Sequence, residues 1–242
     1  CQRTPASTTS RISRLMRGER GPRLEAVLFD LDGTLLDTAP DMIGALNRLR
    51  AEHGHTEIPP ASLRQFVSHG SARLVREGFP GITEERFPLL QRSFLDIYYD
   101  NLHEGTRLFP RMHETLEQLG QLGVPAGIVT NKPGWLTGPL LEKLGIAHRF
   151  ACVVSGDTLP QRKPHPAPLL HAAMLAQVQA AGCVYVGDAE RDIQAARAAG
   201  MPSLIARYGY LGDADDPARW QADGDLSDPS DLLPWLQANA YL

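Results

Sequence analysis

The stretch AVLFDLDGTLLDT, residues 26–38, decides the fold. It opens on AVLFD (26–30), an apolar run of the kind expected for a parallel strand covered on both faces. Two carboxylates, Asp30 and Asp32, follow two residues apart, with Gly33 and Thr34 behind them. A lone aspartate at a strand end is ordinary turn or helix-cap chemistry. A pair in this pattern is hard to explain by packing.

Outward from this stretch, four more segments read as buried strands: PAGIVTN (125–131), FACVVSG (150–156), CVYVGD (183–188) and PSLIAR (202–207). Helical text lies between them at 111–122, 133–144, 166–178 and 190–199. Gly123, Gly145 and Gly200 follow three of these helices, where a C-terminal cap is expected. Strand, helix, strand at this rhythm predicts an α/β protein with a doubly wound parallel sheet. Residues 38–105 break the rhythm. Met42, Ile43, Leu46 and Leu49 share one helical face there, and more helical text follows at 60–77 and 83–103. Thr38 with Asp41 resembles an N-terminal capping box. The economical reading is an all-helical insertion between the first two strands.

The 242 residues are 43% apolar and 21% charged, enough for a sizeable core. A net charge of -4 argues against nucleic acid or an anionic membrane as partner, and no apolar run approaches the ~20 residues needed to span a bilayer. Cys152 and Cys183 lie in strand-like runs and Cys1 is the odd one out, so buried thiols in a reducing, cytoplasmic compartment are expected. Residues 1–23 carry six arginines and almost no apolar pattern. A transit peptide shares that composition, but a disordered leader is the reading adopted, with Met16 a candidate start. The sequence carries no signal for oligomeric state.

The residues able to do chemistry cluster at predicted strand ends, the edge at which open parallel sheets bind ligands. They are Asp30 with Asp32, Thr130 with Asn131, Lys163 in QRKPHP, and Asp188 with Asp192 in VGDAERDI. Asp188 follows a strand and Asp192 lies one helical turn later, so both can face one point. Asp30, Asp32 and Asp188 supply hard oxygen ligands suited to Mg²⁺. A carboxylate can serve as a covalent nucleophile, and Lys163 can balance charge on transferring phosphoryl oxygens. The Thr130 hydroxyl and backbone N–H groups near Gly33 and Asn131 can bind the remaining oxygens. Asp32 can protonate the leaving oxygen and then activate water.

In this order DLDGT (30–34), the strand ending at Thr130, Lys163 and GDAERD (187–192) resemble the haloacid-dehalogenase superfamily of phosphatases. The resemblance runs from Ala26 to about Tyr210. It implies a Rossmann-like core over 24–37 and 106–242 and a helical cap over 38–105. It also implies Asp30 as nucleophile, Asp32 as acid and base, and Thr130 and Lys163 as phosphate ligands. Asp30, the Asp32 carbonyl and Asp188 would hold Mg²⁺ with Asp192 nearby. The substrate would be a small phosphorylated metabolite. VTNKP (129–133), RKPHPAPLL (162–170) and RYGY (207–210) are similar to the phosphoglycolate phosphatase branch. RYGYLGDADDPARWQAD (207–223) is also similar to N-acetylmuramic acid 6-phosphate phosphatases. The cap loop VSHGSARL (67–74) is then expected to meet the leaving group, through His69 and Arg73. Asp32 and Asp188 argue against a dehalogenase. A sugar-phosphate mutase shares every core residue, and a non-catalytic module would be expected to lose these carboxylates.

Overall fold

The computed structural model describes residues 23–242. The expected disordered leader therefore lies, Arg23 apart, outside the described residues. The strands are β1 (Ala26–Phe29), β2 (Leu36–Asp37), β3 (Arg107–Leu108), β4 (Ala126–Val129), β5 (Phe150–Val154), β6 (Cys183–Gly187), β7 (Ser203–Ala206) and β8 (Gly224–Leu226). Six of them form one sheet in the order β5-β4-β1-β6-β7-β8, every neighbouring pair parallel. From β1 the chain builds outward through β4 and β5, then crosses back to lay β6, β7 and β8 on the other side. The C-terminal end of β1 is thus the point where the winding reverses, and a crevice opens there.

Alternation along β1 explains its unbroken apolar text, because successive side chains enter two different cores. Val27 and Phe29 join Leu116 and Leu119 of α5 (Met112–Gln121) and Leu232 and Leu236 of α9 (Leu232–Ala238). Ala26 and Leu28 join Leu169 and Ala172 of α7 (Ala167–Leu175) and Ala195 and Ala196 of α8 (Glu190–Ala198). Gly123, Gly145 and Gly200 have φ of 69°, 67° and 72° and close α5, α6 (Gly134–Lys143) and α8 in the left-handed conformation.

Between β2 and β3 the chain is helical: α1 (Ala39–Glu52), α2 (Pro60–Leu63), a 3-10 turn at Arg64–His69, α3 (Gly70–Gly78) and α4 (Phe87–Asp100). Leu46, Leu49, Leu74, Phe94 and Tyr98 are buried among these helices. The short antiparallel pair β2–β3 sits where the chain leaves and re-enters the core, with Leu36 opposite Leu108 and Asp37 opposite Arg107.

The Thr38–Asp41 capping box does not form. Thr38 makes no side-chain cap; its hydroxyl donates to Asp32 Oδ1 at 2.7 Å. Asp41 instead accepts the Gly105 N–H at 2.6 Å, the Thr106 N–H at 2.9 Å and the Thr106 hydroxyl at 2.6 Å. The second crossing offers Asp41 three unfilled donors, and Asp32 takes the Thr38 hydroxyl, so neither side chain serves the local helix terminus. β8 was also not foreseen, since Gly-Asp-Leu with an exposed Asp225 carries no apolar run. Cys152 and Cys183 are buried and unpaired. Among the described residues, no helix is long and apolar enough to cross a membrane.

Candidate active site

Asp30 leaves β1 with its N–H donated to Val186 O of β6 at 2.9 Å. Its Oδ1 accepts the Leu31 N–H at 2.7 Å and lies 2.9 Å from Lys163 Nζ. Gly33 has φ +86°, and a Cβ there would collide with the Asp188 carboxylate and press on the Tyr210 ring. Glycine is what lets the turn after β1 close over the carboxylates.

Asp188 follows β6, and Asp192 sits in the first turn of α8, where its Oδ2 accepts the Ala189 N–H at 3.0 Å. Carboxylate oxygens of Asp30, Asp188 and Asp192 all lie within 4.8 Å of one another, and all three residues are buried. Lys163 is the cation among them. Its side chain is 1% exposed and reaches Asp30 at 2.9 Å, Asp192 Oδ1 at 2.7 Å, Val129 O at 2.8 Å and Tyr185 Oη at 2.8 Å.

Burial lifts the Asp30 carboxyl above its ordinary value, against the pull of Lys163. Asp188 is pushed up to about 7, by burial first and then by the charges of Asp30 and Asp192. Asp188 Oδ2 accepts the Ser68 hydroxyl at 2.6 Å and the Tyr210 N–H at 3.0 Å, while its Oδ1 is buried with no partner. An orphaned carboxylate oxygen beside two further carboxylates fits a hard divalent cation, which would supply the missing partner.

The strand-end residues of β4 divide their work. Thr130 lines the cavity above Asp30, its hydroxyl accepting the Lys132 N–H at 3.1 Å. The Asn131 side chain is turned to the Lys163 loop, donating to Lys163 O and accepting the Lys163 N–H, each at 3.0 Å. These bonds tie the Lys163 loop to the end of β4, and Asn131 also lines the cavity. Thr34 is buried, with a hydroxyl that has no partner. His69 borders the cavity, its pKa lowered by burial and by Arg191. Arg73 is not among the lining residues. Its guanidinium pairs with Glu77 at 2.7 Å and stacks on Phe66, because one helical turn separates it from Glu77 on the outer face of α3.

Four contributors have no place in the sequence reading. Lys132 is buried, with Nζ 3.0 Å from Asp32 Oδ1 and 2.9 Å from Tyr98 Oη. Burial pulls its pKa down, but Asp32 and Tyr98 outweigh that and hold it above its ordinary value. Arg191 Nη2 donates to Ser68 O at 2.6 Å, which ties α8 to the helical insertion. Ser68 and Tyr98 come from that insertion. Lys132 and Arg191 lie inside the motifs already quoted, so position could have flagged them. Ser68 lies in the loop 67–74 already quoted, beside the residues chosen there, and Tyr98 carries no such signal. Together these groups border a cavity of about 450 Å³ between sheet edge and helices, with Met42, Val67, Leu95 and Leu136 on its apolar side.

Fold and site define an α/β protein whose carboxylates gather at the end of the first strand around the buried Lys163. The model of the haloacid dehalogenase-like hydrolases matches residues 27–206, and the chain belongs to that family. It is 49% identical over 214 residues to a phosphoglycolate phosphatase of Xanthomonas campestris pv. campestris, a match covering 88% of this chain and 96% of the relative. It is 36% identical over 215 residues to an N-acetylmuramic acid 6-phosphate phosphatase of Pseudomonas aeruginosa, covering 88% and 95%. The crystal structure of a predicted phosphoglycolate phosphatase from Haemophilus somnus 129PT superposes with a TM-score of 0.78 at 31% identity, covering 88% and 98%. The chain is a phosphomonoester hydrolase.

Proposed function

We propose that the enzyme hydrolyses 2-phosphoglycolate to glycolate and phosphate through an aspartyl-phosphate on Asp30. The observation that carries the chemistry is the buried trio Asp30, Asp188 and Asp192 around Lys163, with Asp188 Oδ1 left unpaired. The names of the relatives favour this substrate. Asp30, Asp188 and the Asp32 carbonyl would hold Mg²⁺, with Asp192 behind them, and the ion would neutralise charge on the phosphoryl oxygens.

The protein groups account for the remaining steps. An Asp30 oxygen attacks phosphorus, its new O–P bond forming as the ester O–P bond breaks. Asp32 gives a proton to the departing alkoxide oxygen. Asp32 then removes a proton from water, which attacks the same phosphorus, releases phosphate and restores the Asp30 carboxylate. Lys163 and Thr130 steady the phosphoryl oxygens, with Gly33 and Thr34 lining the turn beneath. The helical segment 38–105 serves as a cap, with His69 at the cavity rim and Ser68 reaching down to Asp188.

A second substrate reading rests on one observation. A cavity of about 450 Å³ lies in the range that encloses sugar-sized ligands, and a two-carbon acid fills a small part of it. Beside its apolar wall, Gln91 Nε2 donates to Ser71 Oγ at 2.9 Å, giving an amide and a hydroxyl for a polar leaving group. N-acetylmuramic acid 6-phosphate fits that description. Phosphate release measured with Mg²⁺ over a panel holding both esters separates them. A higher kcat/KM for 2-phosphoglycolate is expected; a preference for the amino sugar overturns the substrate assignment, and equal rates on many esters mean a generalist. Asp30→Asn should abolish turnover on all of them, and retained activity would remove the mechanism.

A further inference from the structure

We infer that Lys132 is a positioning residue for Asp32, and that it couples the aim of this acid to the packing of the helical cap through Tyr98. The inference rests on reading Asp32 as the proton donor. Lys132 belongs to the core, two residues beyond Thr130, and its backbone is fixed at both ends. Its N–H donates to the Thr130 hydroxyl, and its carbonyl accepts the Thr137 hydroxyl at 3.3 Å. Its ammonium spans two elements. One bond goes to Asp32 Oδ1 at 3.0 Å, with Oδ2 farther off at 3.4 Å. The other goes to the hydroxyl of Tyr98, a fully buried residue of α4 stacked on Phe94.

The pattern on Asp32 is one-sided. Oδ1 accepts both the Lys132 ammonium and, at 2.7 Å, the Thr38 hydroxyl. Oδ2 has only the longer lysine contact, which makes it the oxygen free to exchange a proton with the leaving group. Two donors from different segments fix the carboxylate plane, and an acid held in one plane delivers its proton at one angle. A buried ammonium needs its partners, and Tyr98 is one of them. Withdrawing α4 would strip that hydroxyl from Lys132 and loosen its hold on Asp32. The cap therefore contributes to catalysis through a core lysine as well as through its own lining residues.

The test compares two esters in Lys132→Met, Tyr98→Phe and the double variant. p-Nitrophenolate leaves as an anion without a proton, whereas an alkyl alkoxide needs one. For Lys132→Met, kcat on 2-phosphoglycolate or N-acetylmuramic acid 6-phosphate, whichever the wild type turns over faster, should fall about 100-fold. KM should stay within about threefold, and the first-turnover burst of p-nitrophenolate from p-nitrophenyl phosphate within about fivefold. Tyr98→Phe should show the same split at about three- to tenfold, and it carries the test alone if Lys132→Met does not fold. The double variant should be no slower than Lys132→Met, because the hydroxyl acts through the lysine. Equal losses on both esters, no loss on either, or additive losses in the double variant would overturn the inference. Asp32→Asn run alongside separates the two levels: retained alkyl-ester turnover removes the role of Asp32 itself. An inactive Asp32→Asn beside an unaffected Lys132→Met removes only the role of Lys132.

Discussion

Removing magnesium should destabilise this protein at pH 8 and hardly at all at pH 5. Asp188 titrates near its ordinary 3.8 in the unfolded chain but is pushed up to about 7 in the fold, by burial first and then by Asp30 and Asp192. A carboxyl whose folded pKa is raised favours the protonated native form. Without metal, the stability this group permits is complete below about pH 4, declines as pH rises, and is lost above about pH 7. A shift from 3.8 to about 7 corresponds to about 4 kcal/mol at the upper bound. About 2.7 kcal/mol of that falls between pH 5 and pH 8, so at about 2–4 °C per kcal/mol the metal-free protein should lose about 5–10 °C in Tm relative to its Asp188→Asn variant over this window. A divalent cation held by Asp30 and Asp188 would replace the missing proton, so excess Mg²⁺ should restore most of that loss at pH 8 and add little at pH 5. The assay is calorimetry of wild type and Asp188→Asn, each in chelator and in excess Mg²⁺, at both pH values. Comparing the two proteins removes the contributions of titrating groups that do not interact with Asp188. The reasoning is refuted if metal-free Asp188→Asn is less stable than metal-free wild type at pH 8, or if Mg²⁺ shifts wild type equally at both pH values.

Two further outcomes follow from the backbone around the site. Gly33→Ala should lower kcat at least tenfold and weaken the Mg²⁺ dependence, read by titrating the metal in the phosphate-release assay. Its Cβ would collide with the Asp188 carboxylate, in a backbone conformation costing an L-residue about 1–2 kcal/mol. Asp41→Ala should cost about 2–4 kcal/mol in urea denaturation, since it strands two N–H groups and a hydroxyl at Gly105 and Thr106. Asp41→Asn, which keeps one acceptor, should lose less.

The sequence by itself determined five of the six strands of the sheet and the helical insertion. β1, β4, β6 and β7 read as unbroken apolar runs because both faces of the sheet are covered, and Gly123, Gly145 and Gly200 end helices where only a left-handed residue fits. It also determined Asp30, Asp32, Lys163, Asp188 and Asp192 as candidates, since charged residues ending buried strands have few structural reasons to be there. Local text misled at Thr38 and Asp41, where Asp32 took the hydroxyl and Thr106, 65 residues from Asp41, took the carboxylate. Arg73 likewise read as a site residue, until α3 turned it toward Glu77. Only the tertiary structure brought Lys132 between Asp32 and Tyr98, and Ser68 onto Asp188. Those contacts join the core to an insertion packed over it, and no spacing along the chain encodes a distance across a cleft. The nucleophile candidate was legible at Asp30 because strand and motif are local. The groups that aim the acid, and the volume offered to the leaving group, exist only once the helices close over the sheet.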